Sequence, residues 1–219
     1  MRLYVIRHGE TGWNALRKLQ GQQGADLNEK GIKLAEMTAE GLKDVPFDLC
    51  YSSPLIRARH TADILLSRHT GVPVIEEERL KEVSFGVWEG KCVARDRMEV
   101  PAEQFDKFRT DTFRYVPPQG GESAKDVIRR SGTFFDELII DPRLQDKTIL
   151  IAAHAFLLRA FLHRLYKDPT DFWNGGIPVN CAVSIVDVNN GVPVLVQDDG
   201  IYYPIEYCSS GYKRPTIGR

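Results

Sequence analysis

Apolar positions along the chain fall into two rhythms. Short unbroken runs predict buried strands, and stretches where apolar residues recur every three or four positions predict amphipathic helices. Met1-Arg2-Leu3-Tyr4-Val5-Ile6 is the first run, and Arg7-His8-Gly9-Glu10-Thr11 turns abruptly polar where it ends. Residues 9–24, rich in Gly, Gln and Asn, suit a shaped loop at the strand's carboxyl end. Asn28 then reads as a helix N-cap with Glu29 in the first turn, and Ile32, Ala35, Ala39 and Leu42 share one face. A second strand is predicted over 47–52. Ser53-Pro54 follows as an N-cap with proline at the first helical position, leading to Leu55, Ala58, Ala62 and Leu65 on one face. Arg57 therefore lies in the first turn, beside free backbone N–H groups and the positive end of the helix dipole, a place that suits a phosphate.

The pattern then loosens. Val72-Pro73-Val74-Ile75 reads as an edge strand, and residues 79–90 have no clear period. Glu82, close in sequence to Phe85 and Trp88, is either a carboxyl whose pKa is raised by desolvation or a surface acid beside Lys81. Residues 91–121 are charged and weakly periodic, carry Phe105, Phe108, Phe113 and Tyr115, and end in Pro117-Pro118-Gln119-Gly120-Gly121, which reads as an inserted lid. Regular rhythm returns with Ser123 and Asp126 as a capping pair and Val127, Ser131, Phe134 and Leu138 facing inward, ended by Asp141-Pro142. Residues 147–153 form the strongest central strand, with His154 where it ends and an apolar helix over 156–166. Two strands, 181–188 and 192–196, flank the turn Asn189-Asn190-Gly191. The tail over about 200–219, with Tyr202, Tyr203, Tyr207 and Tyr212, has no period and no assigned role.

Three strand-helix units thus bring His8, Arg57 and His154 to strand ends or helix starts, which share one edge of an open parallel sheet, where ligands bind. The predicted class is α/β, with three layers: a mostly parallel sheet, helices on both faces, and a small lid at about 91–121. With 219 residues and no linker, one domain spanning 1–219 is expected.

Charge sharpens this picture. The 29 basic and 30 acidic residues nearly cancel, which argues against nucleic acid or an anionic membrane as partner and makes any anion site local. Cys50, Cys92, Cys181 and Cys208 form no C-x-x-C pair, and no secretory leader or membrane-length apolar stretch is seen, so a cytoplasmic protein with free thiols is expected.

The series Arg7-His8-Gly9-Glu10-Thr11, Trp13-Asn14, Gln20-Gly21, residues 27–31, residues 52–58, Phe85-Gly86-Val87-Trp88-Glu89-Gly90, Gly120-Gly121-Glu122-Ser123 and His154 resembles the histidine phosphatase superfamily, in its phosphoglycerate-mutase-like branch. The resemblance runs in family order from Met1 to about Asp187. It implies that His8 is the nucleophile that becomes phosphohistidine, that Arg7, Arg57 and His154 hold the phosphoryl group, and that Glu82 protonates the leaving oxygen. Asn14, Gln20 and Gly21 match positions near phosphate and substrate. Spacing alone leaves open which histidine is attacked. The residue types suit the chemistry, because phosphoryl transfer needs an in-line nucleophile and dense cationic hydrogen bonding on the equatorial oxygens.

Neither metal nor cofactor is expected, since flanking arginines repel a divalent cation from His8, His154 and Glu82. One position departs from the pattern: Ala155 stands where the family commonly has glycine, and a positive φ there would crowd the phosphate. The expected activity is a metal-independent phosphatase acting on a small phosphoester. Mutase-type transfer and a non-catalytic phospholigand-binding role are the alternatives, and the late hairpin or the aromatic tail could pair two chains as a homodimer.

Overall fold

The computed structural model describes residues 1–208; of the predicted tail, residues 209–219 with Tyr212 lie outside the described residues, while Gly200 ends the last strand and Tyr203 is buried. In chain order the elements are β1 (Arg2–Arg7), α1 (Gly12–Ala15), α2 (Glu29–Gly41), β2 (Leu49–Ser52), α3 (Ile56–Leu66), β3 (Val74–Glu76), α4 (Ala102–Thr110), α5 (Ala124–Ile140), β4 (Thr148–Ala153), α6 (Ala155–Leu162), β5 (Val183–Asn189) and β6 (Val192–Gly200), with short 3-10 turns between several of them. The sheet order is β3-β2-β4-β1-β5-β6. β3, β2, β4 and β1 run parallel, and the β5-β6 hairpin joins β1 antiparallel.

Strand alternation sends Leu3 and Val5 of β1 to one face, where they meet Val127, Phe134, Leu157 and Phe161 from α5 and α6. Tyr4 and Ile6 point the other way, onto Leu34, Ala35, Ala62 and Leu65 from α2 and α3. β1 and β4 are covered on both sides, which is why their sequences are near-continuous apolar runs. The three-layer α/β prediction therefore holds.

Register decides the placement of the polar residues. Arg7 pairs with Ala153 and Ser52 with Ala152, so His8, His154 and Ser53 step off adjacent parallel strands at nearly one level. His8 N–H and Ser53 N–H keep the ladder going one residue further, to Ala153 O and Ala152 O.

Several local expectations shift. Ser53 is not the N-cap of α3 and Pro54 is not its first residue: the helix starts at Ile56 with Leu55 as N-cap. Ser53 Oγ is instead engaged with His154, and Leu55 N–H reaches it only at 3.3 Å. Arg57 still lies in the first turn. The loop after β1 contains a single helical turn, α1, closed by a reciprocal cap in which Asn14 N–H donates to Thr11 Oγ1 and Thr11 N–H to Asn14 Oδ1. β3 begins at Val74 rather than Val72, and α6 gives way at Leu162 to a 3-10 turn over His163–Leu165. The caps at Asn28 and Ser123 form as the sequence predicts.

Candidate active site

His8 follows β1, 3 % exposed, with both ring nitrogens engaged. Nδ1–H donates to its neighbour's carbonyl, Gly9 O, at 2.7 Å, and Nε2 accepts from Arg57 Nε at 3.3 Å. A nitrogen that accepts from guanidinium carries a lone pair, so the network fixes the Nδ1–H tautomer and leaves Nε2 as the basic atom. Burial first, then the charges of Arg57 and Arg7, holds the ring's pKa well below the usual histidine value. The loop behind it is drawn tight by Gly9 N–H donating to Thr61 Oγ1 and by Gly31, where an added Cβ would lie 2.0 Å from Glu10 O. Asn180 Nδ2 donates to His8 O and, at 3.5 Å, to Asn14 Oδ1.

Arg57 is 1 % exposed. Its Nη1 and Nη2 donate to Gln23 O and Gly21 O, each at 2.7 Å, and with Nε on His8 three of the five guanidinium N–H groups are committed. The other two are left for a ligand. Burial lowers its pKa to about 10, so it stays cationic at neutral pH. Arg7 is also lowered, chiefly by burial; it donates to Pro178 O and has no partner for Nε among the described residues. Gly21 takes φ +54°, and an added Cβ there would meet Glu89 Oε1 at 2.0 Å. Only glycine fits that turn.

Glu82 is half-buried and lines the cleft rather than standing as a surface acid beside Lys81. Burial raises its carboxyl pKa against the opposing pull of Arg57 and three backbone N–H groups. Two of those donors, Phe156 and Leu157, open α6. The segment that carries Glu82 is clamped by Arg130 of α5, whose Nη1 donates to Arg79 O and Lys81 O, each at 2.7 Å, and whose Nη2 donates to Glu82 O at 3.0 Å. Glu122 fixes Arg130 in turn and accepts Ser84 N–H.

His154 lies behind this cluster, fully buried, its ring centroid 5.2 Å from that of His8. His154 Nε2 lies 2.8 Å from Ser53 Oγ, which also accepts from Leu55 N–H, so the hydroxyl holds one side of the ring and leaves Nδ1 on the other. That atom has no partner among the described residues. Burial, then Arg57 and His8, lowers the His154 pKa well below its ordinary value. Ala155 lies in α6 and is absent from the positive-φ residues, so its methyl group imposes no strain.

Of the predicted site residues, Arg7, His8, Asn14, Gln20, Gly21, Arg57 and Glu82 line one cleft of about 330 Å³; His154 supports its floor without lining it. Sequence reasoning missed Arg130, Thr61 and Asn180, whose partners are distant in the chain and carry no periodic signal. Glu89 and Glu122 lay inside motifs already noted, yet nothing local showed that Glu89 accepts the N–H groups of Gln22, Gln23 and Phe85. Arg159, 2 % exposed in α6, was also passed over; it donates to Gly176 O and pairs with Asp198 and Asp199, tying the loop that carries Trp173 and Ile177 to β6.

A basic imidazole nitrogen, one buried and one half-buried guanidinium and a half-buried carboxyl of raised pKa, gathered at the carboxyl edge of a mostly parallel sheet, define an enzyme site for an anionic group such as phosphoryl. The chain belongs to the histidine phosphatase superfamily (branch 1), which residues 3–198 match. It is 31 % identical over 198 residues to phosphoserine phosphatase 1 of Hydrogenobacter thermophilus, covering 90 % of this chain and 91 % of that one. It is 35 % identical over 169 residues to the 2,3-bisphosphoglycerate-dependent phosphoglycerate mutase of Nitrobacter hamburgensis, covering 75 % and 81 %. The solved alpha-ribazole phosphatase from Shigella flexneri superposes with a TM-score of 0.78 at 31 % identity, covering 91 % of this chain and 96 % of that one. Members of the family act on small phosphorylated substrates. No helix among the described residues is long and apolar enough to cross a membrane.

Proposed function

We propose that this protein is a phosphomonoester phosphatase that works through phosphohistidine at His8. The observation that carries the reading is the pairing of a neutral His8, with Nε2 as its basic atom beside Arg57, and a half-buried Glu82 of raised pKa in one cleft. Nε2 attacks phosphorus, the ester P–O bond breaks, and Glu82 gives its proton to the departing oxygen. The carboxylate left behind then takes a proton from water as that water attacks phosphorus; the P–N bond breaks and inorganic phosphate and neutral His8 are restored. Arg7 and Arg57 hold the non-bridging oxygens, with His154 closing the floor behind His8, while Asn14, Gln20 and Gly21 shape the approach. The segment over about 91–121 serves as the lid on this cleft.

These steps call for no metal or cofactor. Mixing the protein with a labelled phosphomonoester and quenching into alkaline denaturant, which preserves the acid-labile P–N bond, is expected to trap one labelled histidine. Absence of label during turnover, or its persistence in His8→Asn, counts against the covalent route.

The likeness to phosphoglycerate mutases motivates a second reading, in which phospho-His8 passes its group to a second substrate hydroxyl. Release of inorganic phosphate from a panel of esters, with interconversion of 2- and 3-phosphoglycerate assayed in parallel, separates the two. The ordinary helical backbone at Ala155 removes the steric ground for a non-catalytic binding role.

A further inference from the structure

The cleft is graded from floor to rim. At the floor Arg7, His8, Arg57 and Glu82 account for the phosphoryl group. Above them Phe85, Phe105, Phe108, Phe156 and Trp173 form an aromatic wall around the space left for the leaving group. At the mouth stand Arg17, Lys18 and Arg109. Five cations therefore line the cleft against the single carboxylate of Glu82, in a chain whose formal net charge is -1. Arg17 and Arg109 are exposed and have no carboxylate partner among the described residues, although most arginines on this surface are paired.

Their placement is built rather than incidental. Phe105, Phe108 and Arg109 are three and four residues apart on α4 and share one of its faces, so the helix that supplies the aromatic wall also supplies the outer cation. Phe108 is locked by rings on several sides, with Phe85, Tyr115, Phe156 and Trp173 all between 5.1 and 5.6 Å centroid to centroid. Arg17 holds φ +53°, a left-handed conformation that a side-chain-bearing residue rarely adopts. It is kept there by its N–H on Asn14 O and by Val93 N–H on its carbonyl, which joins the loop after β1 to the base of the lid. Beyond Arg109 a second cavity of about 500 Å³ shares Arg109, Trp173 and Ile177 with the cleft, so Arg109 borders both.

We infer that the preferred substrate is a phosphomonoester whose leaving group has an aromatic or comparably flat apolar body and, at its far end, a second anionic group held by Arg17 and Arg109. This rests on the phosphatase reading and narrows it. A small hydroxy acid such as a phosphoglycerate offers the second charge without the body that the aromatic wall would cover, and a plain aryl ester offers the body without the charge.

Four esters separate these features: glycerol 3-phosphate (neither), phosphoglycolate (charge only), phenyl phosphate (body only) and 3-(4-phosphooxyphenyl)propanoate (both), the last two having phenolic leaving groups of similar basicity. The ester with both features is expected to have the highest kcat/KM, exceeding phenyl phosphate by about three- to tenfold, mostly through KM, because two exposed guanidiniums each contribute modestly. In the Arg17→Ser, Arg109→Ser double variant that ratio is expected to fall to within about twofold of unity, and in the Arg17→Lys, Arg109→Lys variant to survive in part. Raising ionic strength should narrow it in the wild type. A wild-type ratio of one or less, or a ratio unchanged in the serine variant, overturns the anionic half; phosphoglycolate matching the aryl carboxylate overturns the aromatic half. Calorimetric binding of the same four esters to the His8→Asn protein reads the preference without turnover. Absence of hydrolysis of every ester thus counts against the phosphatase reading, and absence of preference in binding counts against this one.

Discussion

The floor of the cleft and its rim are built by different means. Floor residues are delivered by strand ends in register: β1, β2 and β4 put His8, Ser53 and His154 at one level, and each side chain is then fixed by at least one buried hydrogen bond. Rim residues come from a loop and an inserted helix, and their charged groups reach solvent. A guanidinium at the floor acts in a desolvated site, where losing it also strands its partners; one at the rim acts through water and salt. The same residue type should therefore carry very different weight at the two levels.

The largest test of that contrast is the nucleophile itself. His8→Asn should lower kcat by at least about four orders of magnitude, since no other group in the cleft offers an unprotonated nitrogen. Steady-state phosphate release checks it, and a loss of only tenfold would move the attack elsewhere. Next come matched arginine changes. Arg57→Met should cost about 10²–10³ in kcat, partly because Gly21 O and Gln23 O lose their donor, whereas Arg17→Met at the rim should change kcat by less than about fivefold. Equal effects would erase the distinction between floor and rim.

A smaller effect is expected one step back from the chemistry. Arg130 touches no cleft space, but it holds the carbonyls of residues 79, 81 and 82 and so sets the position of the Glu82 carboxyl. If Glu82 protonates the leaving oxygen, Arg130→Met should cost about 10- to 100-fold on alkyl esters, which need that proton, and much less on 4-nitrophenyl phosphate, whose leaving group does not. Uniform loss across leaving groups would mean that Arg130 merely supports the fold. Glu82→Gln supplies the reference slope.

The floor was largely legible in the sequence and the rim was not, for a physical reason. A central strand advertises itself by an unbroken apolar run, and a cation or imidazole placed directly after it inherits a position from the sheet; that is how Arg7, His8 and His154 could be seen. Arg57 was legible through the helix start, even though the cap itself moved from Ser53 to Leu55. Glu82 lay in a stretch without period, and the position of its carboxyl depends on α6 supplying the N–H groups of Phe156 and Leu157 from 74 and 75 residues away. Trp173 and Ile177 reach the cleft because Arg159 anchors their loop to β6, an arrangement with no local signature at either end. Chemistry set by strand ends is readable; specificity set by long-range packing is not.

The smallest test concerns pH and turns on the protonation states at the floor. His8 and His154 have folded pKa values well below the unfolded value of 6.5, so in the window beneath 6.5 the unfolded chain binds protons that the native site refuses. Stability should therefore fall as pH drops from about 7.5 to about 5.5, by at most about 1.4 kcal/mol for each histidine. Glu82 has the opposite sign. Its folded pKa is raised above 4.5, so the native state holds a proton that the unfolded chain has released, and its contribution is lost as pH rises through the folded value. Urea midpoints in phosphate-free buffer at the two pH values should show the histidine loss in the wild type and a shallower loss in His8→Asn. If His8→Asn left the pH dependence unchanged, His8 would not be the neutral, desolvated imidazole that its bonds to Gly9 and Arg57 describe, and the floor would lose its advantage over the rim.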